Sequence, residues 1–186
     1  GRAFARLSQN RGIDIVAVND LGSLQNLAYL LQYDTVYGRA PFPVAVKEGA
    51  LIMDGKGVKF FSEKEPLNLP WKDLNIDVVV ESTGFFTDPE KARGHIMAGA
   101  KKVVITAPFA HGSSGGALGA TVLMGVNEDK LATCQISSNA SCTTNAASPV
   151  IAILDGAIGI EKAVLSTTHA YTASQSLVDS PSKKDM

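Results

Sequence analysis

The segment that decides the fold lies between an apolar run and a run of small, helix-forming residues. It reads Ser138-Asn139-Ala140-Ser141-Cys142-Thr143-Thr144-Asn145. The apolar residues 134–137 before it predict a buried strand, and residues 146–154 after it predict a helix. Cys142 therefore lies where a strand gives way to a helix, beside hydroxyl residues that favour helix N-caps. The positive end of a helix and its free N–H groups favour the thiolate, which is the nucleophilic form of cysteine.

A histidine, His169, follows in the sequence Ser-Thr-Thr-His-Ala-Tyr-Thr. The apolar residues 163–165 before it predict another strand. A cysteine at a helix start and a histidine after a later strand can form a thiol–imidazole pair for nucleophilic catalysis. A lone cysteine is also a common small core residue, and a lone histidine is often structural. The two residues alone leave both interpretations open.

Composition excludes several classes of function. The chain has 186 residues, of which 45% are hydrophobic and 19% are charged, as in ordinary globular proteins. A net charge of −1 gives no basic face for nucleic acid, and no apolar run approaches the roughly 18 residues of a membrane span. Two cysteines favour a reducing compartment over a disulfide framework. We expect no nucleic acid, membrane or metal among the partners, and a cytoplasmic location.

Apolar runs alternate with helical patterns along the first part of the chain. The predicted helices are residues 2–9, 24–31 and 89–98, the last with Asp88 as its N-cap. The predicted strands are residues 14–18, two or three within 44–61 around the turn signal Asp54-Gly55, 78–80 and 103–105. Residues 67–74, with Trp71, predict a packed connection. This alternation is typical of an α/β fold with a doubly wound, mostly parallel sheet of the Rossmann type.

Polar or turn-forming residues follow three of the predicted strands. They are Asp20, Thr83-Gly84 and Thr106-Ala107. Ligands of doubly wound sheets bind at the carboxyl ends of the strands, so these positions predict a nucleotide site. Residues 109–121 are rich in Gly and Ser and predict a loop, in which His111 is a solvated residue. This loop fits neither the G-x-G-x-x-G pattern nor the phosphate-binding loop of nucleotide triphosphatases.

The sequence of the cysteine segment, together with His-Ala-Tyr-Thr at residues 169–172, resembles that of the phosphorylating glyceraldehyde-3-phosphate dehydrogenase family. Further segments carry the same resemblance: residues 18–20, 81–84, 106–108, 124–127 and 180–185. The resemblance implies a fragment that lacks the first strand and most of the catalytic domain. Residues 1–141 would be an NAD-binding domain, and residues 142–186 the start of an α+β catalytic domain. It also implies a glycolytic enzyme that is a homotetramer in its full-length form.

The resemblance implies a set of residues that bind NAD. Gly1 and Arg2 resemble the end of the family's glycine-rich turn, and Lys64 stands where the family often has an arginine near the adenine. Asp20 lies where an acid binds the adenosine ribose, and its charge would repel a 2′-phosphate, which favours NAD over NADP. The remaining cofactor-binding positions implied by the resemblance are Ser82, Thr83, Gly84, Phe86, Thr106 and Ala107.

The resemblance also implies the chemistry. Cys142 would attack the aldehyde of glyceraldehyde 3-phosphate, with His169 as the base, and inorganic phosphate would cleave the thioester to 1,3-bisphosphoglycerate. Ser141 and Thr143 would bind the attacking phosphate, and Thr172 the substrate phosphate. Two alternatives stay open. One is an erythrose-4-phosphate dehydrogenase, and the other is a non-catalytic NAD-domain fragment that acts by binding only. We expect the isolated 186 residues to be inactive.

Overall fold

The computed structural model describes residues 1–9, 11–110 and 119–171. They form two compact units, one of residues 1–64 with the described residues from His169 onward, and the other of residues 65–168. Each unit has its own sheet and its own apolar core. His111, Thr172 and the segment 180–185 lie outside the described residues, and so do the predictions made for them.

The first unit joins parallel and antiparallel strands in one sheet. Its elements are α1 (Arg2–Leu7), β1 (Ala17–Asn19), α2 (Leu24–Gln32), β2 (Tyr33–Asp34), β3 (Gly38–Arg39), β4 (Val44–Lys47), β5 (Ala50–Met53) and β6 (Lys56–Phe61). The sheet order is β1-β6-β5-β4, in which β1 pairs parallel with β6 and the other pairs are antiparallel. β2 and β3 form a separate antiparallel pair.

Two local features order the first unit, a helix cap and a hairpin turn, and the turn is the one predicted from the sequence. Ser23 caps α2 by accepting a hydrogen bond from the Asn26 N–H at 3.2 Å. Asp54 and Gly55, with φ of 50° and 77°, form the two-residue turn between β5 and β6. Positive φ at both positions is the type I′ geometry, which matches the twist of a hairpin. α2 then packs its apolar face, with Leu24, Ala28 and Leu31, on the buried side chains of β5 and β6.

The second unit has an entirely parallel sheet. Its strands are β7 (Val78–Glu81), β8 (Lys102–Ile105), β9 (Gly119–Thr121) and β10 (Ile136–Ser138), and its helices are α3 (Pro89–Met97) and α4 (Cys142–Ile158). Short 3₁₀ turns span Pro66–Asn68 and Glu128–Ala132. The strand order is β7-β8-β10-β9, and each neighbouring pair is parallel. The prediction of an α/β fold with parallel strands is confirmed.

The core of the second unit lies between α3 and the central strands. Ala92 of α3 packs on Val103, Ile105 and Ile136, all of which are buried. Asp88 caps α3 through a 2.8 Å hydrogen bond from the Glu90 N–H, as the sequence predicts. The connection before β7 packs against the end of α3, where Gly99 has a φ of 110°. A Cβ at Gly99 would lie 2.5 Å from the Lys72 Cβ, so only glycine fits there.

Three predicted strands need correction. The strand predicted at 14–18 is β1, which begins at Ala17 because its pairing with β6 covers only Ala17–Asn19. The strand predicted at 134–137 begins at Ile136. Cys134 precedes it in a turn, where its N–H donates to the Lys130 carbonyl oxygen. The strand predicted at 163–165 is absent from the described chain. Val164 is 98% exposed, and an apolar run forms a strand only against a neighbour.

Candidate functional site

Several predicted site residues gather at the carboxyl edge of the parallel sheet. The Thr106 N–H and hydroxyl, after β8, donate to the Glu81 carbonyl oxygen at 2.9 and 3.2 Å. The Thr106 hydroxyl also lies 3.2 Å from the Ser82 hydroxyl, after β7. The Ser138 hydroxyl, at the end of β10, donates to the Ala107 carbonyl oxygen at 2.7 Å. The ends of three neighbouring strands are thereby joined into one polar edge.

The turn after β7 is ordered by its own side chains. The Thr83 N–H donates to Glu81 Oε1 at 2.6 Å, and the Phe85 N–H donates to the Thr83 hydroxyl at 3.1 Å. Gly84 has a φ of 79°, and no atom lies within 4 Å of the place where a Cβ would stand. The turn therefore leaves open space over its backbone, as close approach of a ligand requires. Phe86 lies partly buried on the core, edge-on to the His95 ring.

A buried polar chain lies beneath this turn, and the sequence analysis missed it. The Trp71 indole N–H donates to His95 Nδ1 at 3.0 Å, and His95 Nε2 lies 3.1 Å from Glu81 Oε2. Burial acts to raise the pKa of Glu81, but the hydrogen bonds from His95 and Thr83 outweigh it and lower that pKa below its usual value. A signal was present in the sequence, because His95 lies three positions after Ala92 on the buried face of α3.

Cys142 is the first residue of α4 and is exposed. Ser141 is the N-cap, and its hydroxyl oxygen accepts from the Thr144 N–H at 3.0 Å and lies 2.7 Å from the Thr144 hydroxyl. Thr143 is partly exposed in the first turn of the helix. β10 ends at Ser138 and α4 begins at Cys142, so the prediction that Cys142 lies where a strand gives way to a helix is confirmed. This is a setting that favours a thiolate.

His169 is exposed, and its Nδ1 lies 2.5 Å from the Ala170 carbonyl oxygen. It is grouped with the first unit, whereas Cys142 belongs to the second. The pairing of Cys142 with His169 therefore stays a prediction.

The cofactor positions of the first unit lie at its start and after β1 and β6. The Asp20 N–H donates to the Phe61 carbonyl oxygen, and Asp20 Oδ1 accepts from the Gly22 N–H at 2.8 Å. The carboxylate is thus held at the carboxyl end of a parallel strand, where a ribose-binding acid belongs. Lys64 is exposed, as is Gly1. Arg2 donates to the Leu30 carbonyl oxygen at 3.2 Å and lies 3.9 Å from Asp34 Oδ2, so its guanidinium is engaged within this unit.

Among the residues that the structure describes, no group of three or more His, Cys, Asp and Glu side chains is placed to hold a metal ion. No helix in the described ranges is both long and apolar enough to cross a membrane.

A parallel sheet with hydroxyl-bearing turns at its carboxyl edge defines the class of nucleotide-binding α/β proteins. Residues 1–89 match the family profile "Glyceraldehyde 3-phosphate dehydrogenase, NAD binding domain", and residues 141–186 match the profile of that enzyme's C-terminal domain. The chain belongs to the glyceraldehyde 3-phosphate dehydrogenase family. The resemblance drawn from the sequence is confirmed, and NAD is the cofactor of its N-terminal domain. An acid after β1 and an open glycine turn after β7 are residues that fit this cofactor.

Curated relatives from distant organisms support this family membership. The glyceraldehyde-3-phosphate dehydrogenase of Clostridium acetobutylicum is 46% identical over 182 residues, which are 98% of this chain and 53% of the relative. The cytosolic enzyme of Trypanosoma brucei brucei is 45% identical over 186 residues, all of this chain and 54% of the relative. The enzyme of Bacteroides fragilis is 47% identical over 173 residues, 93% of this chain and 50% of the relative. The chain spans about half the length of the curated relatives it matches.

Proposed function

We propose that this chain is part of a glycolytic, NAD-dependent oxidoreductase that converts glyceraldehyde 3-phosphate and inorganic phosphate to 1,3-bisphosphoglycerate. The observation that carries the proposal is the exposed Cys142 at the first position of α4. A thioester retains enough energy to form an acyl phosphate, so the chemistry needs a thiol nucleophile. The helix start supplies the field that favours its thiolate.

The proposed steps assign a task to each side chain. Cys142 Sγ adds to the aldehyde carbon, and His169 takes the hydroxyl proton as the carbon is oxidised to a thioester. NAD supplies the hydride acceptor for this oxidation. A phosphate oxygen then attacks the thioester carbon, the carbon–sulfur bond breaks, and the Cys142 thiolate is restored. Backbone N–H groups at the start of α4 are suited to stabilise the oxyanion of each addition.

Phosphate binding is proposed for three hydroxyl residues. Ser141 and Thr143, in and beside the cap of α4, would hold the attacking phosphate, because a helix N-terminus favours anions. Thr172 would hold the phosphate of the substrate.

Cofactor binding is proposed for the strand-end residues. Asp20 would accept hydrogen bonds from the adenosine ribose, with Gly1, Arg2 and Lys64 near it in the sequence-derived assignment. Within the second unit, cofactor binding is proposed for Ser82, Thr83, Gly84, Phe86, Thr106 and Ala107. The contacts that Arg2 makes with Leu30 and Asp34 favour a structural part for its side chain, so its contribution to the cofactor would come from its backbone.

We further propose that the domain boundary falls between residues 141 and 142, and the C-terminal family profile supports it by starting at residue 141. A cytoplasmic location is supported by two cysteines that form no disulfide and by the cytosolic relative. The full-length form would be a homotetramer. The 186 residues alone would be inactive, a proposal supported by the match of this chain to only 53% of the Clostridium acetobutylicum relative.

One variant pair tests the proposed nucleophile in the full-length protein. Cys142→Ser should abolish NADH formation from glyceraldehyde 3-phosphate and leave NAD binding intact. Cys134→Ser is the matched control, because Cys134 is buried before β10 and should retain activity. Equal activity of both variants would contradict the proposal. Erythrose 4-phosphate is assayed in parallel, and a higher kcat/KM for it than for glyceraldehyde 3-phosphate would favour the alternative dehydrogenase. NAD binding without turnover of either aldehyde would favour the binding-only alternative.

A second test addresses the choice of cofactor. Asp20→Ala should weaken the binding of NAD by about 1.5–3 kcal/mol, the value of a hydrogen bond to a charged group. It should also reduce the difference in affinity between NAD and NADP. Binding is measured by isothermal titration of full-length protein with each cofactor. Comparable affinity of the unmodified protein for NAD and NADP would contradict the role of Asp20.

A further inference from the structure

Three side chains from separate elements form a buried chain under the turn after β7. Trp71 comes from the connection before β7, Glu81 from the end of β7, and His95 from α3. Their exposed fractions are 4%, 5% and 4%.

The hydrogen-bond donors determine which nitrogen of the His95 ring carries the proton. An indole N–H only donates, so His95 Nδ1 must accept from Trp71 and the ring proton must lie on Nε2. Nε2–H therefore donates to Glu81 Oε2, at 3.1 Å. The other carboxylate oxygen, Oε1, accepts from the Thr83 N–H at 2.6 Å. Donation thus runs from Trp71 through His95 to the Glu81 carboxylate, which accepts from the turn as well.

Glu81 also joins the turn to the next strand. Its carbonyl oxygen accepts from the N–H and the hydroxyl of Thr106, after β8. A single residue therefore fixes the backbone of two proposed cofactor segments, one through its side chain and the other through its carbonyl. The orientation of its carboxylate depends on His95, because His95 is the donor to Oε2.

Stability alone does not account for this arrangement. Desolvating a carboxylate is costly, and well-packed apolar residues often replace buried charged groups without loss of stability. Buried polar networks whose members are all satisfied instead hold a unique geometry. The geometry held here is that of Ser82–Gly84, where Gly84 leaves the backbone open to a ligand.

We propose that Trp71, His95 and Glu81 are positioning residues that hold the Ser82–Gly84 turn in its cofactor-binding form. Trp71 selects the tautomer of His95, His95 orients the Glu81 carboxylate, and Glu81 holds the Thr83 N–H. None of the three touches the cofactor. The inference rests on the proposed function of this turn in binding NAD.

Two substitutions at His95 test its hydrogen bonds to Trp71 and to Glu81 separately. His95→Gln places a side-chain amide N–H where Nε2 stands, so it keeps a donor to Glu81 and loses the acceptor for Trp71. His95→Asn places its amide near Nδ1, so it keeps a partner for Trp71 and does not reach Glu81. Both variants remove ring atoms from the same buried site, so both should lose comparable thermal stability. Only His95→Asn should release the turn.

The expected result is a split between the two variants in the full-length protein. His95→Asn should raise the Kd and KM for NAD roughly tenfold, the effect of losing one hydrogen bond to a charged group, with kcat within about threefold of the unmodified protein. His95→Gln should change both constants by less than about threefold. Hydrogen–deuterium exchange at the Thr83 amide, followed by mass spectrometry with single-residue fragmentation, should accelerate in His95→Asn and stay near the unmodified rate in His95→Gln.

The exchange measurement keeps this inference separate from the proposed function. Failure of the unmodified protein to bind NAD would overturn the function of the turn, whereas the exchange comparison would still test the positioning. Unchanged Thr83 exchange in His95→Asn, or equal effects of both variants on exchange and on NAD affinity, would overturn the positioning. If His95→Asn does not fold, Glu81→Gln replaces it. The amide introduced by Glu81→Gln has one oxygen and one NH2 group, so in either orientation its NH2 group faces another donor, the Thr83 N–H or the His95 Nε2–H. Both orientations weaken the hold of residue 81 on the turn, so Thr83 exchange must accelerate there if the inference holds.

Discussion

Helices α3 and α4 follow parallel strands of the same sheet, and each is capped by a side-chain oxygen, from Asp88 and Ser141 respectively. Their surroundings are opposite. α3 buries Pro89, Ala92 and His95 against the sheet. α4 is almost twice as long and fully described, and none of its residues is buried. Its exposed side chains include large apolar ones: Val150, Ile151, Ile153, Leu154 and Ile158.

The difference separates two ways of building a functional position. At α3, tertiary packing and buried hydrogen bonds hold the exposed turn Ser82–Gly84. The geometry of that turn therefore depends on residues in the core. At α4, the functional feature is local: a cap, a helix start and an exposed thiol in consecutive residues. Local chemistry of this kind can be recognised from sequence, whereas a packed support requires the fold.

The largest expected effect concerns the chemistry proposed for Cys142 and His169. In the full-length protein, His169→Asn should reduce kcat by roughly 10²–10⁴-fold, which is typical for loss of a general base, and leave the Kd for NAD near its original value. Steady-state kinetics and isothermal titration measure the two quantities. His111→Asn is the matched control and should be neutral. A His169→Asn protein with unaltered kcat would remove His169 from the mechanism.

Packing gives an intermediate effect that compares the helices directly. Ala92→Leu inserts a larger side chain into a core where Ala92 is fully buried, and should destabilise the 186-residue chain by about 1–3 kcal/mol. Ala152→Leu makes the same change on the exposed surface of α4 and should alter stability by less than about 0.5 kcal/mol. Urea unfolding monitored by the fluorescence of the single tryptophan, Trp71, measures both. Similar losses would mean that α4 is packed as tightly as α3.

The smallest expected effect is the pH dependence contributed by Glu81. Its pKa is lowered in the folded protein, so its stabilising contribution is complete above the ordinary carboxyl pKa of 4.5 and is lost as the pH falls through the lowered value. The stability difference between the unmodified chain and Glu81→Gln should therefore be constant from pH 7 to about pH 5 and shrink below pH 4.5. Urea midpoints at each pH measure it. A difference that grows on acidification would have the wrong sign for this account.

The sequence predicted elements whose causes are local. The Asp88 cap and the Asp54-Gly55 turn each act within a few residues, so α3 was predicted to within a residue and the turn between β5 and β6 was predicted correctly. The apolar run of α2 also predicted that helix to within a residue. The continuous apolar runs of β7 and β8 predicted buried parallel strands.

The remaining features depend on partners distant in sequence. Residues 163–165 are apolar enough for a strand, but no described neighbour pairs with them. The limits of β1 depend on β6, and Cys134 lies outside β10 because a 3₁₀ turn holds its N–H. In the buried hydrogen-bonded series, Trp71 and His95 are 24 positions apart, and His95 and Glu81 are 14 positions apart. No local sequence pattern specifies these contacts.

The assignment of Cys142 as the reactive thiol is the central claim, and alkylation tests it most directly. Iodoacetamide is added to the native 186-residue chain near neutral pH, and peptide mass spectrometry follows both cysteines with time. The account predicts that Cys142, exposed at the start of α4, is modified much faster than the buried Cys134. Modification of Cys134 first, or of both at the same rate, would contradict it.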